Sequence, residues 1–138
     1  MSQNTLADVF GSVIHQYSRR QAIADGYLVD VSTMAQEAGF VLPVALTRAA
    51  WEDCVAWDDG DNRRHQTIQD ESGRLWDVLT MLRIGIRSRP NQAMIQFSLV
   101  RVPRTGRGRL PRKTRLKAII GPGDEGSPVI TVMMPDED

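Results

Sequence analysis

The 138 residues, 41% hydrophobic and 25% charged, suffice for a single domain over 1–138 with a core of its own. No apolar run approaches the roughly 20 residues that cross a bilayer, and the N-terminus lacks the basic-then-apolar layout of a secretion signal. A lone cysteine, Cys54, excludes a disulfide framework, so the expected compartment is the cytoplasm.

In chain order, Val9-Phe10 and Val13-Ile14 form a short apolar patch suited to one helical turn or a packed arm. Ser18 stands where an N-cap would, Arg19 to Asp25 can form a short helix, and Gly26 stops it. Tyr27 to Val31 reads as a brief strand or an extended link. Ser32 is a second cap position, with a helix over Thr33 to Ala38 ended by Gly39. Phe40 to Leu46 is apolar but contains Pro43, which predicts an extended or edge segment rather than a central strand. Thr47 caps a third helix, Arg48 to Ala56, which can bury Ala50, Trp51, Cys54 and Val55.

Trp57 to Gln69 is polar and charged, so 58–69 is predicted as an exposed, mobile loop. From Asp70 to Arg87 the pattern turns helical. Leu75, Leu79, Leu82 and Ile86 share one face, Trp76, Val78 and Ile84 widen it, and Arg74, Asp77, Thr80, Arg83 and Arg87 can reach solvent. Pro90 ends this helix, the element on which the others are expected to pack. Ile95, Phe97 and Leu99 then alternate with Gln96 and Ser98, the pattern of a half-buried strand. A glycine- and arginine-rich stretch, 103–113, reads as a long exposed hairpin loop. Arg115 to Ile120 and Val129 to Met134 are further strands, joined by a turn over Gly121 to Pro128. The expected fold is α+β, a three-stranded antiparallel meander in the C-terminal third packed against about four helices.

Seventeen basic and seventeen acidic residues cancel overall, but they are not mixed. No acidic residue occurs between Asp77 and Asp124, and eleven basic residues lie between Arg83 and Lys117. The remainder of the chain is left with a net charge of −11. This segregation is the most informative feature of the composition.

The stretches Ser18 to Val31, Glu37 to Phe40, Pro43 to Thr47 with Trp51, Gly73 to Leu79, Leu116 to Asp124 and Pro128 to Thr131 together resemble a family of small uncharacterised bacterial proteins. That family is often carried by plasmids, phages and integrative elements. The resemblance implies a mobile-element setting and no established activity or catalytic residue.

Candidate chemistry is sparse. His15, His65 and Cys54 lack the paired spacings of a zinc site, so neither metal nor cofactor is expected. Cys54 falls beside Trp51 and Val55 and reads as a small buried hydrophobe; a nucleophile would need His15 or His65 alongside. The carboxylate pairs Glu52-Asp53, Asp58-Asp59 and Asp70-Glu71 have the placement of solvated loop and helix-start groups, and Gly121 to Gly126 carries two carboxylates and no P-loop lysine. The basic segment 101–117 is the stronger candidate. Arg101, Arg104, Arg107, Arg109, Arg112, Lys113 and Arg115 are the predicted nucleic-acid-binding residues, because arginine forks match phosphate geometry and a hairpin can lie along a backbone. The competing account is a solvated loop, or one neutralised by Asp58, Asp59, Asp61 and the Asp136-Glu137-Asp138 tail. The expected function is a non-enzymatic accessory protein of a mobile element that binds nucleic acid or a host or element protein. The alternatives are an inhibitor of a host defence protein whose acidic body mimics nucleic acid, and a small enzyme of unknown reaction.

Overall fold

The computed structural model describes residues 17–138, so the predicted arm around Val9 to Ile14 lies outside the described residues. Helix α1 (Arg19–Ala24) begins where the Ser18 hydroxyl accepts from Gln21 N–H, and Gly26, at φ 85°, turns the chain out of it. Strand β1 (Leu28–Asp30) leads into α2 (Ser32–Glu37). Ser32 is the first residue of α2 rather than its cap, and its hydroxyl donates to Asp30 at 2.6 Å. Strand β2 (Val44–Thr47) is followed by α3 (Arg48–Cys54), capped by Thr47 as its sequence predicts. Helices α4 (Asp59–His65) and α5 (Glu71–Ser88) come next, then strands β3 (Met94–Arg101), β4 (Arg112–Pro122) and β5 (Pro128–Met133).

The class is α+β, with two differences of detail from the expectation. The described residues form five helices, and the predicted meander of β3, β4 and β5 is extended into a five-stranded mixed sheet of order β1-β2-β5-β4-β3. The added strand β2 pairs in parallel with β5, with Val44 opposite Ile130 and Leu46 opposite Val132. It lies inside the sheet rather than at its edge, and Val44, Ala45 and Leu46 are fully buried. Pro43 permits this because it stands just before the strand. Its missing N–H is not needed there, and its carbonyl accepts from Ile130 N–H at 2.9 Å.

Helix α5 supplies Leu75, Val78, Leu79 and Leu82 to the core, against Ile95, Phe97 and Leu99 of β3 and Leu116 and Ala118 of β4. Close approach to β3 depends on Gly85, where an added Cβ would stand 3.1 Å from Phe97 Cβ and 3.3 Å from Ile95 Cδ1. Trp76 and Ile84 do not join the apolar face; they are 44% and 51% exposed. Arg74 departs further from the sequence pattern, since it is buried rather than solvated. Toward the opposite face of the sheet, Arg19 donates to Thr131 Oγ1 at 2.6 Å, while Asp124 takes the Arg19 and Arg20 N–H groups at the start of α1. Those two N–H donors hold the Asp124 carboxyl below its ordinary range.

Candidate functional site

The segment expected to be a mobile loop over 58–69 contains an ordered helix. Its sequence, Asp58-Asp59-Gly60-Asp61-Asn62-Arg63-Arg64-His65, places acids at the start and bases at the end, matching the helix dipole. A capping box closes the N-terminus: Asp58 accepts from Asp61 N–H and Asp61 accepts from Asp58 N–H, both at 2.9 Å. The exit is held as well. Asn62 Oδ1 accepts from Trp57 Nε1–H at 2.7 Å and from Gln69 N–H at 2.8 Å, and its amide donates to Gln69 O. Trp57, Asp61 and His65 are buried, though Asp58, Arg63 and Ile68 remain on the surface. A polar stretch is ordered here because its polar groups find partners.

Those partners lie in the basic loop between β3 and β4. Arg104 Nε donates to Asp61 Oδ2 at 2.8 Å, and its Nη groups reach Asp58 at 3.3 Å and Glu52 at 3.4 Å. Arg64 donates to the carbonyls of Gly106 at 3.0 Å and Arg104 at 2.9 Å, and also pairs with Asp61. His65 Nδ1 stands 2.5 Å from Gly108 O, and Nε2 stands 2.8 Å from Arg104 O. Three alternate carbonyls, of residues 104, 106 and 108, thus bond to the end of α4. Arg107 and Arg109, between and beyond them, are left exposed. Burial of Asp61 works to raise its pKa, but the Asp58 N–H and the guanidinium donors of Arg64 and Arg104 outweigh it and hold the carboxyl at about 2.

The seven predicted binding residues therefore divide. Arg101 makes a forked ion pair with Asp53, its closest contact 3.0 Å, and Arg104 is committed to the acids around α4. Arg107, Arg109, Arg112, Lys113 and Arg115 are exposed, and none forms an ion pair among the described residues. Lys113 and Arg115 project from the outward side of β4, opposite Val100 and Ser98 of β3. Arg107 and Arg112 line one depression of about 430 Å³ together with Thr105, Gly106 and Leu110. The 103–113 segment is thus an exposed loop in its side chains over Thr105 to Pro111, but its backbone is clasped. Of the tail expected to neutralise it, Glu137 instead takes the Thr47 hydroxyl at 2.7 Å and, through its carbonyl, Lys117 Nζ.

Two buried residues that support this arrangement escaped the sequence pattern. Beyond His65, Arg74 on α5 donates to Val55 O at 3.1 Å, to Val102 O at 3.0 Å and to Gln69 Oε1 at 2.8 Å. It also packs over the Trp57 ring at 4.4 Å, and the His65 ring lies 5.0 Å from that same indole. Arg74 thereby joins the end of α3, the start of the basic loop and the α4 surroundings. Charge alone carried no sign of this, because a buried arginine and a solvated one look alike in a sequence. Cys54 is fully buried, and burial, followed by the adjacent Asp53 carboxylate, pushes its thiol up to about 12. No cluster of three metal-ligating side chains occurs among the described residues, and no helix among them is long and apolar enough to cross a membrane.

Compared with known proteins, residues 6–138 match the model of a family of unknown function, DUF6573. No curated protein and no solved structure matches the chain.

Proposed function

The chain belongs to this family of unknown function, and from that starting point we propose that it is a non-enzymatic protein that binds nucleic acid through the exposed cations of the clasped loop and β4. The observation that carries this reading is the set Arg107, Arg109, Arg112, Lys113 and Arg115, close together in the chain and without a carboxylate partner among the described residues. Phosphates would neutralise them and release counterions, a gain that grows with each contact. The loop residues include no asparagine or glutamine to read adenine and no aromatic ring on which a base could stack, so the binding is to the backbone and tolerates sequence. The setting we infer is an accessory role in a mobile element, in keeping with the family resemblance.

The acidic-mimic reading is less favoured because Glu52, Asp58 and Asp61 already engage Arg104. An anisotropy titration with a duplex probe at about 50 mM salt tests the proposal. Five phosphate contacts would give log affinity against log salt a slope of roughly −4.5. A flat titration at that salt ends the nucleic-acid reading.

A further inference from the structure

We propose that His65 is held as an imidazolium whose second proton latches the basic loop onto α4, so that the presentation of Arg107 and Arg109 depends on pH. Both ring nitrogens face carbonyl oxygens, Gly108 O at 2.5 Å and Arg104 O at 2.8 Å. A carbonyl can only accept, and a neutral imidazole has a single N–H. In the neutral ring one nitrogen would direct its lone pair at an oxygen within hydrogen-bonding distance, in a side chain that is 1% exposed. Two N–H groups satisfy both contacts, and only the charged ring has two.

The surroundings pull both ways: burial and the nearby guanidiniums of Arg64, Arg74 and Arg104 oppose the charge, while the two carbonyls, the Asp61 carboxylate and the helix end favour it. His65 is the last residue of α4, where the dipole favours a cation, and its ring lies beside the Trp57 indole. The charged groups on the elements packed around it are Asp61 and Arg64 on α4, Arg104, Arg107 and Arg109 on the loop, Arg74 on α5, and, through Arg104, Glu52 on α3 and Asp58 at the α4 cap. Loss of the proton forces one of the two contacts apart. Arg104 O retains Arg64 as a donor in either state, whereas Gly108 is exposed and can turn to water. Gly108 is therefore the contact surrendered, and the segment from Arg107 to Arg109, beyond the Gly106 carbonyl that Arg64 still holds, is released with it. The latch is present while His65 is charged and is lost as pH rises and the proton leaves.

This regulation rests on the nucleic-acid reading for its purpose but not for its geometry, and the test separates the two. Nitrogen-15 NMR of the free full-length protein, across about pH 5 to 9, reads the histidine ring nitrogens and the loop amides together. A His15→Asn variant assigns the His65 signals. At the acid end both His65 nitrogens should carry protons, and the amides of Thr105 to Leu110 should shift with the same midpoint as the ring. In a His65→Gln variant those amides should no longer titrate, while core amides such as Leu79 and Leu116 keep their positions. If that variant does not fold, the titration of the native chain decides alone. A His65 that stays neutral or stays charged throughout, or that titrates without moving the loop amides, overturns the latch. A flat duplex titration would remove the nucleic-acid reading and leave the latch standing.

Discussion

Arg104 Nε donates to Asp61 Oδ2 at 2.8 Å, joining the basic loop to the third residue of α4. Through this bond the base-rich last third of the chain meets its acid-rich middle. The apparent separation of charge is partly undone in three dimensions, and what remains uncompensated is concentrated on a few side chains.

Asp61 should be the most sensitive of these charges. Replacing it by alanine removes half of the capping box and leaves two arginines without their carboxylate, a loss of about 3 kcal/mol in denaturant melts. Its carboxyl pKa is held at about 2 in the folded protein, below the ordinary value of 3.8. The stability it contributes is therefore full above about pH 4 and lost as pH falls through about 2. Acid unfolding of the native chain and of Asp61→Asn should accordingly converge over that window. Parallel curves would mean that the carboxylate is not engaged.

The loop arginines should separate into two groups by their response to substitution. Arg107→Gln, Arg109→Gln and Arg112→Gln should each flatten the salt dependence of nucleic-acid binding by about one unit and leave the melting temperature unchanged. Arg104→Gln should do the reverse, lowering the melting temperature because it removes the donors to Asp61, Asp58 and Glu52. Equal behaviour of all four would contradict the division between clasped and free cations.

In the core, Leu79→Ala should cost about 2–5 kcal/mol, since the side chain is fully buried between α5 and its neighbours. A loss below about half a kcal/mol would place it outside the core. Gly85→Ala sets two effects against each other. Helix propensity gains up to about 1 kcal/mol, but the new methyl group meets Phe97 Cβ, which cannot move without its strand, at a cost of about 1–3 kcal/mol. The expected result of the same melts is a net loss; a gain would mean that α5 can lift from β3.

Cys54 should behave as an inert part of the core. With its thiol pushed up to about 12 and no exposed surface, it should react with a thiol reagent only as fast as the protein opens. Rapid labelling of the native protein would contradict this. Cys54→Ala should lower stability modestly and leave nucleic-acid binding intact.

The parts of the fold that were legible in the sequence are those in which local pattern and tertiary need agree. Ser18 and Thr47 cap the helices they precede, Leu75, Leu79 and Leu82 mark the inner face of α5, and Ile95, Phe97 and Leu99 alternate toward the core. Helix α4 is not legible because a polar stretch reads as solvated, whereas Asp61 and His65 are buried against partners about forty residues away, a distance local propensity does not register. The central place of strand β2 is masked by Pro43, which reads as an interruption but stands just outside the ladder. At the candidate site the loop and its arginines were visible, but their division was not. Which arginine is free depends on where the carboxylates of α3 and α4 come to rest.

The parallel ladder between β2 and β5 has a kinetic consequence. Its partners, Val44 and Ile130, are far apart in sequence, with three helices and two strands between β2 and β5, and it joins the β1–β2 pair to the β3–β4–β5 meander within the sheet. The meander needs only chain neighbours and can assemble early, but closing this ladder must wait until a long stretch of chain has been brought together. Docking of β2 is therefore the step expected to limit the rate of refolding. During that interval the flank of β5 that will receive it is an open strand edge, the point at which a crowded refolding mixture would pair the wrong chains.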